Sequence, residues 1–321
     1  MGQRNWVAGL LKSRFIIHGH AGLKPTRRSL TAAFMLMGVA TAVQAGEILY
    51  VSNQGAQRGT GTIDKYNGEN GEFIANLVSG LHSSGSLAIN PEGNVWLARK
   101  PDPATASLYD ASTGERLLDV SGLPAVQIGS GAMATHPDSG NLYIEGMRIV
   151  DRVNQLVVID GRSGTYLETF TQGDLKGTAS CSLAFNADGS RLYVSDADVV
   201  KCYDVPAKKM LGSIAPAQRN PSRFSPVSVA VGPDGGIFVG DKHNRKIWRF
   251  DPDGLPRGDV AAGVNPDAMQ FGPNGHLFVA DSVSSQVMEY DVATGEKVSD
   301  FARGGHLKLP DGLVFKSAVT V

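Results

Sequence analysis

Pro233-Asp234-Gly235-Gly236-Ile237-Phe238-Val239-Gly240-Asp241 is followed by the polar run Lys242-His243-Asn244-Arg245 and then by Lys246-Ile247-Trp248-Arg249-Phe250-Asp251-Pro252-Asp253-Gly254. An Asp-Gly turn, an apolar strand, a polar loop, a second strand carrying Trp248 and Phe250, and another Asp-Gly turn make up most of one antiparallel sheet. A further copy runs from Pro273-Asn274-Gly275-His276-Leu277-Phe278-Val279-Ala280-Asp281 through Gln286-Val287-Met288-Glu289-Tyr290-Asp291 to Thr294-Gly295-Glu296. A unit that recurs with only its loops changed marks a repeat protein.

Working outward, a glycine followed by an apolar-aromatic-apolar strand occurs six times, opening at Gly46, Gly93, Gly140, Gly189, Gly235 and Gly275. Each copy is trailed by a third strand and a turn, with glycine at Gly71, Gly114, Gly164, Gly254 and Gly295 and with Lys208 in the one unit that lacks it. A fourth strand follows, and a short run such as Ser228-Val229-Ala230-Val231 precedes each Gly phrase except that at Gly46. One such run, Leu313-Val314-Phe315, is left over at the far end. Four strands per repeat predict an all-β, six-bladed β-propeller over residues 46–321. Pairing of Leu313–Phe315 beside Ile48–Val51 would close the ring and remove its open edge.

The chain has 321 residues, a formal net charge of −1 and 42% hydrophobic content, so it can bury a large core and carries no overall bias toward nucleic acid or anionic lipid. Its 39 glycines suit many tight turns. Arg27 and Arg28 precede an apolar run from Leu30 to Val43 that ends in Val43-Gln44-Ala45. That is the pattern of a cleaved signal peptide, so residues 1–45 are expected to form an N-terminal extension with a leader, and the protein to be periplasmic or secreted with no membrane span in the mature chain. Thr26-Arg27-Arg28-Ser29-Leu30 also loosely matches a twin-arginine signal. Cys181 and Cys202 fall on alternate strands of one unit, about 9–10 Å apart, beyond disulfide reach.

The repeat from Gly232 to Phe250 resembles NHL-repeat propellers and the related gluconolactonase-like and streptogramin-lyase-like proteins. Leu49-Tyr50-Val51-Ser52-Asn53 and Val157-Val158-Ile159-Asp160 also resemble YVTN-type surface propellers. The resemblance implies the fold rather than one activity, because this architecture hosts hydrolases, lyases and binding modules. In gluconolactonase-like proteins it implies a divalent metal at the tunnel mouth, for which Asp281 and Asp267 are the matching positions. The Glu-Gly-Pro phrase that supplies that family's glutamate is missing, as is the His/Glu phrase of the lyases. The histidines His82, His136, His243, His276 and His306 do not share metal-ligand spacing.

Because neighbouring strands are antiparallel, first-strand starts and second-strand ends should meet at one mouth of the tunnel. The aligned first-strand starts include Asp267 and Asp311. The aligned second-strand ends are Asn53, Arg99, Gly146, Asp196, Asp241 and Asp281, with Glu145 and Asp198 beside them. So oxygen-rich a set suits a hard cation such as calcium, held by Asp267, Asp281 and Asp241. It equally suits aspartates that close turns by accepting backbone N–H groups. Arg99 could pair with the carboxylates or hold an anionic group. The expected function is therefore an exported, monomeric binding or scaffold module that recognises a small ligand, glycan or protein at the mouth through Asn53, Arg99, Asp196, Asp241, Asp267, Asp281 and Asp311. A calcium-dependent lactonase-like hydrolase and a streptogramin-type lyase are the alternatives.

Overall fold

A computed structural model describes residues 47–99, 105–123, 126–171, 173, 175–176, 182–216, 224–303 and 307–316, all within a unit spanning Val43–Val321. The expected leader and Cys181 lie outside the described residues.

The first blade contributes β1 (Ile48–Asn53), β2 (Gly61–Asn67) and β3 (Phe73–Leu81), and the second β4 (Leu87–Ile89), β5 (Val95–Arg99), β6 (Thr105–Tyr109) and β7 (Arg116–Val120). The third holds β8 (Val126–Thr135), β9 (Leu142–Arg148), β10 (Asn154–Ile159) and β11 (Tyr166–Thr169). In the fourth are β12 (Leu183–Phe185), β13 (Arg191–Asp196), β14 (Val199–Asp204) and β15 (Lys209–Ile214). The fifth comprises β16 (Pro226–Val231), β17 (Ile237–Asp241), β18 (Lys246–Phe250) and β19 (Pro256–Ala262). The sixth comprises β20 (Pro266–Phe271), β21 (Leu277–Asp281), β22 (Gln286–Asp291) and β23 (Glu296–Arg303), and β24 (Pro310–Lys316) ends the series. Each of the six sheets has four antiparallel strands, and the first is ordered β24-β1-β2-β3. Leu313 lies opposite Val51, Val314 opposite Tyr50 and Phe315 opposite Leu49, so the terminal strands share a blade as the leftover run predicts.

Period-2 alternation turns each blade into a two-sided wedge. On β1, Leu49 and Val51 pack against Phe278, Ala280 and Phe301 of the sixth blade. Tyr50, pointing the other way, packs with Leu87, Leu97 and Tyr109 of the second. The same alternation builds a core between every neighbouring pair, and the core between sixth and first blades completes the circuit. On the innermost strands the larger residues (Leu87, Met133, Leu183, Val229, Met269, Leu313) face the preceding blade, while Ala88, Ala184 and Ala230 face the following one.

Side chains also tie successive blades together around the channel. Ser228 Oγ donates to Pro266 O at 2.5 Å, Ser52 Oγ to Gly85 O at 2.6 Å and Thr135 Oγ1 to Ile89 O at 2.8 Å. Ser182 Oγ accepts from Val229 N at 3.1 Å, and Gln270 Oε1 from Phe315 N at 3.0 Å. These side chains thus pair backbone groups along the inner edge of the neighbouring blade.

Two local features differ from the sequence reading. The inner strand of the third blade, for which the repeat predicts only a short run ahead of the Gly140 phrase, begins at Val126: β8 pairs Ile128 with Gly146, then bulges through Gly131 (φ 98°) and resumes at Met133 opposite Ile144. Gly129-Ser130-Gly131 forms a bulge within the strand rather than ending it, because flanking Val126 and Ile128 bury in the core with the second blade. At the turn where other blades have glycine, Lys208 itself adopts φ 51°, in the left-handed region.

Candidate ligand site at the channel mouth

The six inner strands enclose a cavity of about 660 Å³. At the end where inner strands start, its rim holds Gln54, Lys242, Asp267, Ser282 and Asp311; toward the other end it meets Phe185, Phe271 and Phe315.

Of the residues expected at this mouth, Asp267 and Asp311 line the cavity. Asp267 Oδ1 accepts from Lys242 Nζ at 2.9 Å and Oδ2 from Ser282 N at 3.0 Å. Asp311 Oδ1 accepts from Ser84 Oγ at 2.7 Å and Oδ2 from Gln54 Nε2 at 2.8 Å.

Asn53, Asp196, Asp241 and Asp281 are buried behind the rim, where they fasten chain to chain. Each accepts a backbone N–H from the connection that leads into its own blade's inner strand. The donor is Lys308 N for Asn53 (3.3 Å), Lys176 N for Asp196 (2.8 Å), Ser225 N for Asp241 (3.2 Å) and Asn265 N for Asp281 (2.9 Å). Asp281 further accepts Val283 N and Ser284 N at 2.9 Å each, and Asp241 accepts Asn244 N (3.1 Å), Asn244 Nδ2 (2.6 Å) and Trp248 Nε1 (3.1 Å). In the fourth blade the buried Lys201 supplies the charge partner of Asp196 at 2.6 Å. Donors of these kinds satisfy a buried carboxylate without a cation. Asn53 Nδ2 in turn donates to Asp64 Oδ2 at 3.0 Å.

In the second and third blades the equivalent positions are Arg99 and Gly146 rather than Asn or Asp. Arg99 ends β5, its side chain being outside the described residues, and Gly146 has none to offer. There β9 runs on to Arg148 instead. Glu145 is buried and Asp198 exposed. Among the described residues no group of three or more His, Cys, Asp or Glu side chains is placed to hold a metal ion. His276 Nδ1 sits 2.8 Å from the buried Glu289 Oε1, away from the cavity lining, and His136 Nδ1 accepts from Asp138 N and Ser139 N at 3.3 Å, closing its turn. Burial pushes the Cys202 thiol above its ordinary pKa.

The rim residues that sequence reading passed over are Gln54, Lys242 and Ser282. Each directly follows a fastening residue (Asn53, Asp241, Asp281), and the one-position step turns it from the blade interior toward the channel. That offset was the available signal.

No protein-family model matches the chain, and no curated protein matches it. Among solved structures, a chain of a nidogen/laminin complex superposes with a TM-score of 0.62 at 12% identity, covering 86% of this chain and 99% of that one. A protein of unknown function from Bacteroides caccae superposes with a TM-score of 0.62 at 14% identity, covering 84% of this chain and 98% of its own. Likeness at such identities shows the β-propeller fold alone.

Proposed function

We propose that this chain is an exported binding module that takes a small polar ligand at the channel mouth. The observation that carries the reading is the cavity of about 660 Å³ whose rim gathers Gln54, Lys242, Asp267, Ser282 and Asp311, since a concave site with a few convergent polar groups is where small ligands are held. Lys242 is open to a ligand: its side chain is about half exposed, so its exchangeable pairing with Asp267 can be traded for an anionic or hydroxyl group. The NHL-like phrase at Gly232–Phe250 supports placing the chain in that wider group, and the leader pattern at Arg27–Ala45 supports export, which N-terminal sequencing reads directly as a mature chain starting at Gly46.

The test is a thermal-shift screen against sugar lactones, oligosaccharides and amino acids, with hits titrated on the wild type, Lys242→Ala and Asp267→Ala. A hit should raise the melting temperature in proportion to its saturation, and both variants should weaken it. Hits that bind the variants as tightly as the wild type would move the site elsewhere. Turnover of a lactone by the wild type, lost in Asp267→Asn, would replace the binding module with the hydrolase.

A further inference from the structure

The loops of the two ends of the ring carry opposite charge. On the mouth face the described loops present Arg58, Arg152, Lys176, Lys242, Arg245 and Lys308, all exposed, against Asp151 and Asp198, with the half-buried Asp267 and Asp311 at the channel rim and Asp267 paired to Lys242. On the opposite face the loops present Glu92, Glu115, Asp138, Asp188, Asp234 and Asp253 among other carboxylates, against Arg162 and Lys208. A net charge of −1 thus conceals a basic face and an acidic one.

The most exposed aliphatic side chains stand on the basic face. Val150 is 88% exposed, Val283 72% and Ile149 61%. Ile149 and Val150 cap the β9–β10 hairpin of the third blade, and Val283 caps β21–β22 of the sixth. In a ring of six these blades lie opposite one another, so the apolar tips stand on either side of the mouth. The third-blade tip is held in shape by Arg148, whose Nε and Nη2 donate to Asp151 at 2.8 and 2.5 Å, and by Arg152 N donating to Arg148 O at 2.9 Å.

We propose that the mouth face docks onto an anionic phospholipid surface, with Ile149, Val150 and Val283 entering the headgroup region and the surrounding Arg and Lys residues facing the lipid phosphates. Isolated aliphatic tips on opposite sides of a basic ring fit a flat, negatively charged, deformable surface, because such binding scales with buried apolar area plus attraction to anionic lipid. A protein partner would be met by one contiguous apolar patch, whereas here the tips are separated by the polar mouth. The inference is independent of which ligand the cavity takes.

Sedimentation of the full chain with phosphatidylglycerol and with phosphatidylcholine vesicles tests it. The wild type should partition onto the anionic vesicles, less so as salt rises. Combining Ile149→Asp, Val150→Asp and Val283→Asp should weaken partition at least tenfold at unchanged melting temperature, while Leu255→Asp, an exposed aliphatic of the opposite face, should leave it as it was. Arg58→Gln with Lys176→Gln should weaken it about fivefold per charge removed, a second readout should the tip variant misfold. Equal partition of the tip variant, the charge variant and the wild type would overturn the proposal and assign the association to the apolar run Leu30–Val43 that all share. A wild type that stays in solution with anionic vesicles would also overturn it, leaving the face to a protein partner.

Discussion

Asp281 shows what one carboxylate contributes when it is buried with three backbone N–H donors from two separate loops. Replacing it by alanine leaves those donors without an acceptor, and a buried unsatisfied group costs about 1–3 kcal/mol. Asp281→Ala should therefore lower unfolding free energy by roughly that range in urea, with the mouth loops losing amide protection first. Because the same oxygens are engaged by protein donors, millimolar calcium should leave the melting temperature of the wild type unchanged. A calcium-dependent rise abolished by Asp267→Asn with Asp281→Asn would instead support the metal reading. On the opposite face, Asp110, Asp160, Asp251 and Asp291 accept hydrogen bonds within their own turns, which hold their pKa values below the ordinary carboxylate range. A depressed folded-state pKa gives stability that is present above the unfolded value, about 3.9, and lost as pH falls through the folded one. Melting temperature should accordingly hold from pH 7 to pH 5 and fall below about pH 4, and Asp110→Asn should shallow that fall.

At the scale of the element, the outermost strand of every blade is bulged against its neighbour. An edge strand with an interrupted ladder is a poor template for another chain, so the bulges protect six open edges without covering them. The turn before β15 is the one place where the repeat departs from its own chemistry. Lys208 holds φ 51° where the equivalent residues are glycines at 69–81°, and a side chain in that region costs roughly 1–2 kcal/mol. Its compensation is an ion pair with Glu168 of the neighbouring blade, between half-exposed partners, and pairs of that kind are worth little. Lys208→Gly should therefore stabilise the protein by about 0.5–1 kcal/mol, net of the greater chain entropy that glycine loses on folding; a loss of stability would show that the ion pair outweighs the backbone strain.

For the whole molecule, closure rests on β24. It pairs with β1 along Leu49–Val51 and buries Leu313 in the core with the sixth blade and Val314 in that with the second. Deleting residues 309–321 opens both cores and exposes an inner edge strand, so the truncated chain should lose its cooperative melting transition. Leu313→Ala, a milder change, should cost about 2–5 kcal/mol. Truncated protein that melts like the full chain would mean that the remaining strands seal the ring by themselves.

The sequence by itself determined the repeat, the six blades and the shared terminal blade. Those follow from local signals, turn residues and period-2 apolar strands, which recur in register and leave one strand over at the end. It also named Asp267 and Asp311, which line the rim, and Asn53, Asp196, Asp241 and Asp281, which lie buried behind it, without telling the two groups apart. What each carboxylate does was decided by tertiary structure, because its donors come from other connections: Gln54 reaches Asp311 across 257 positions of sequence, and Lys308 reaches Asn53 across 255. The tall hairpin of the third blade and the opposite charge of the two faces were likewise decided in three dimensions. Net charge sums over the chain, whereas a partner meets only the loops that alternate hairpin ends bring to one side of the ring.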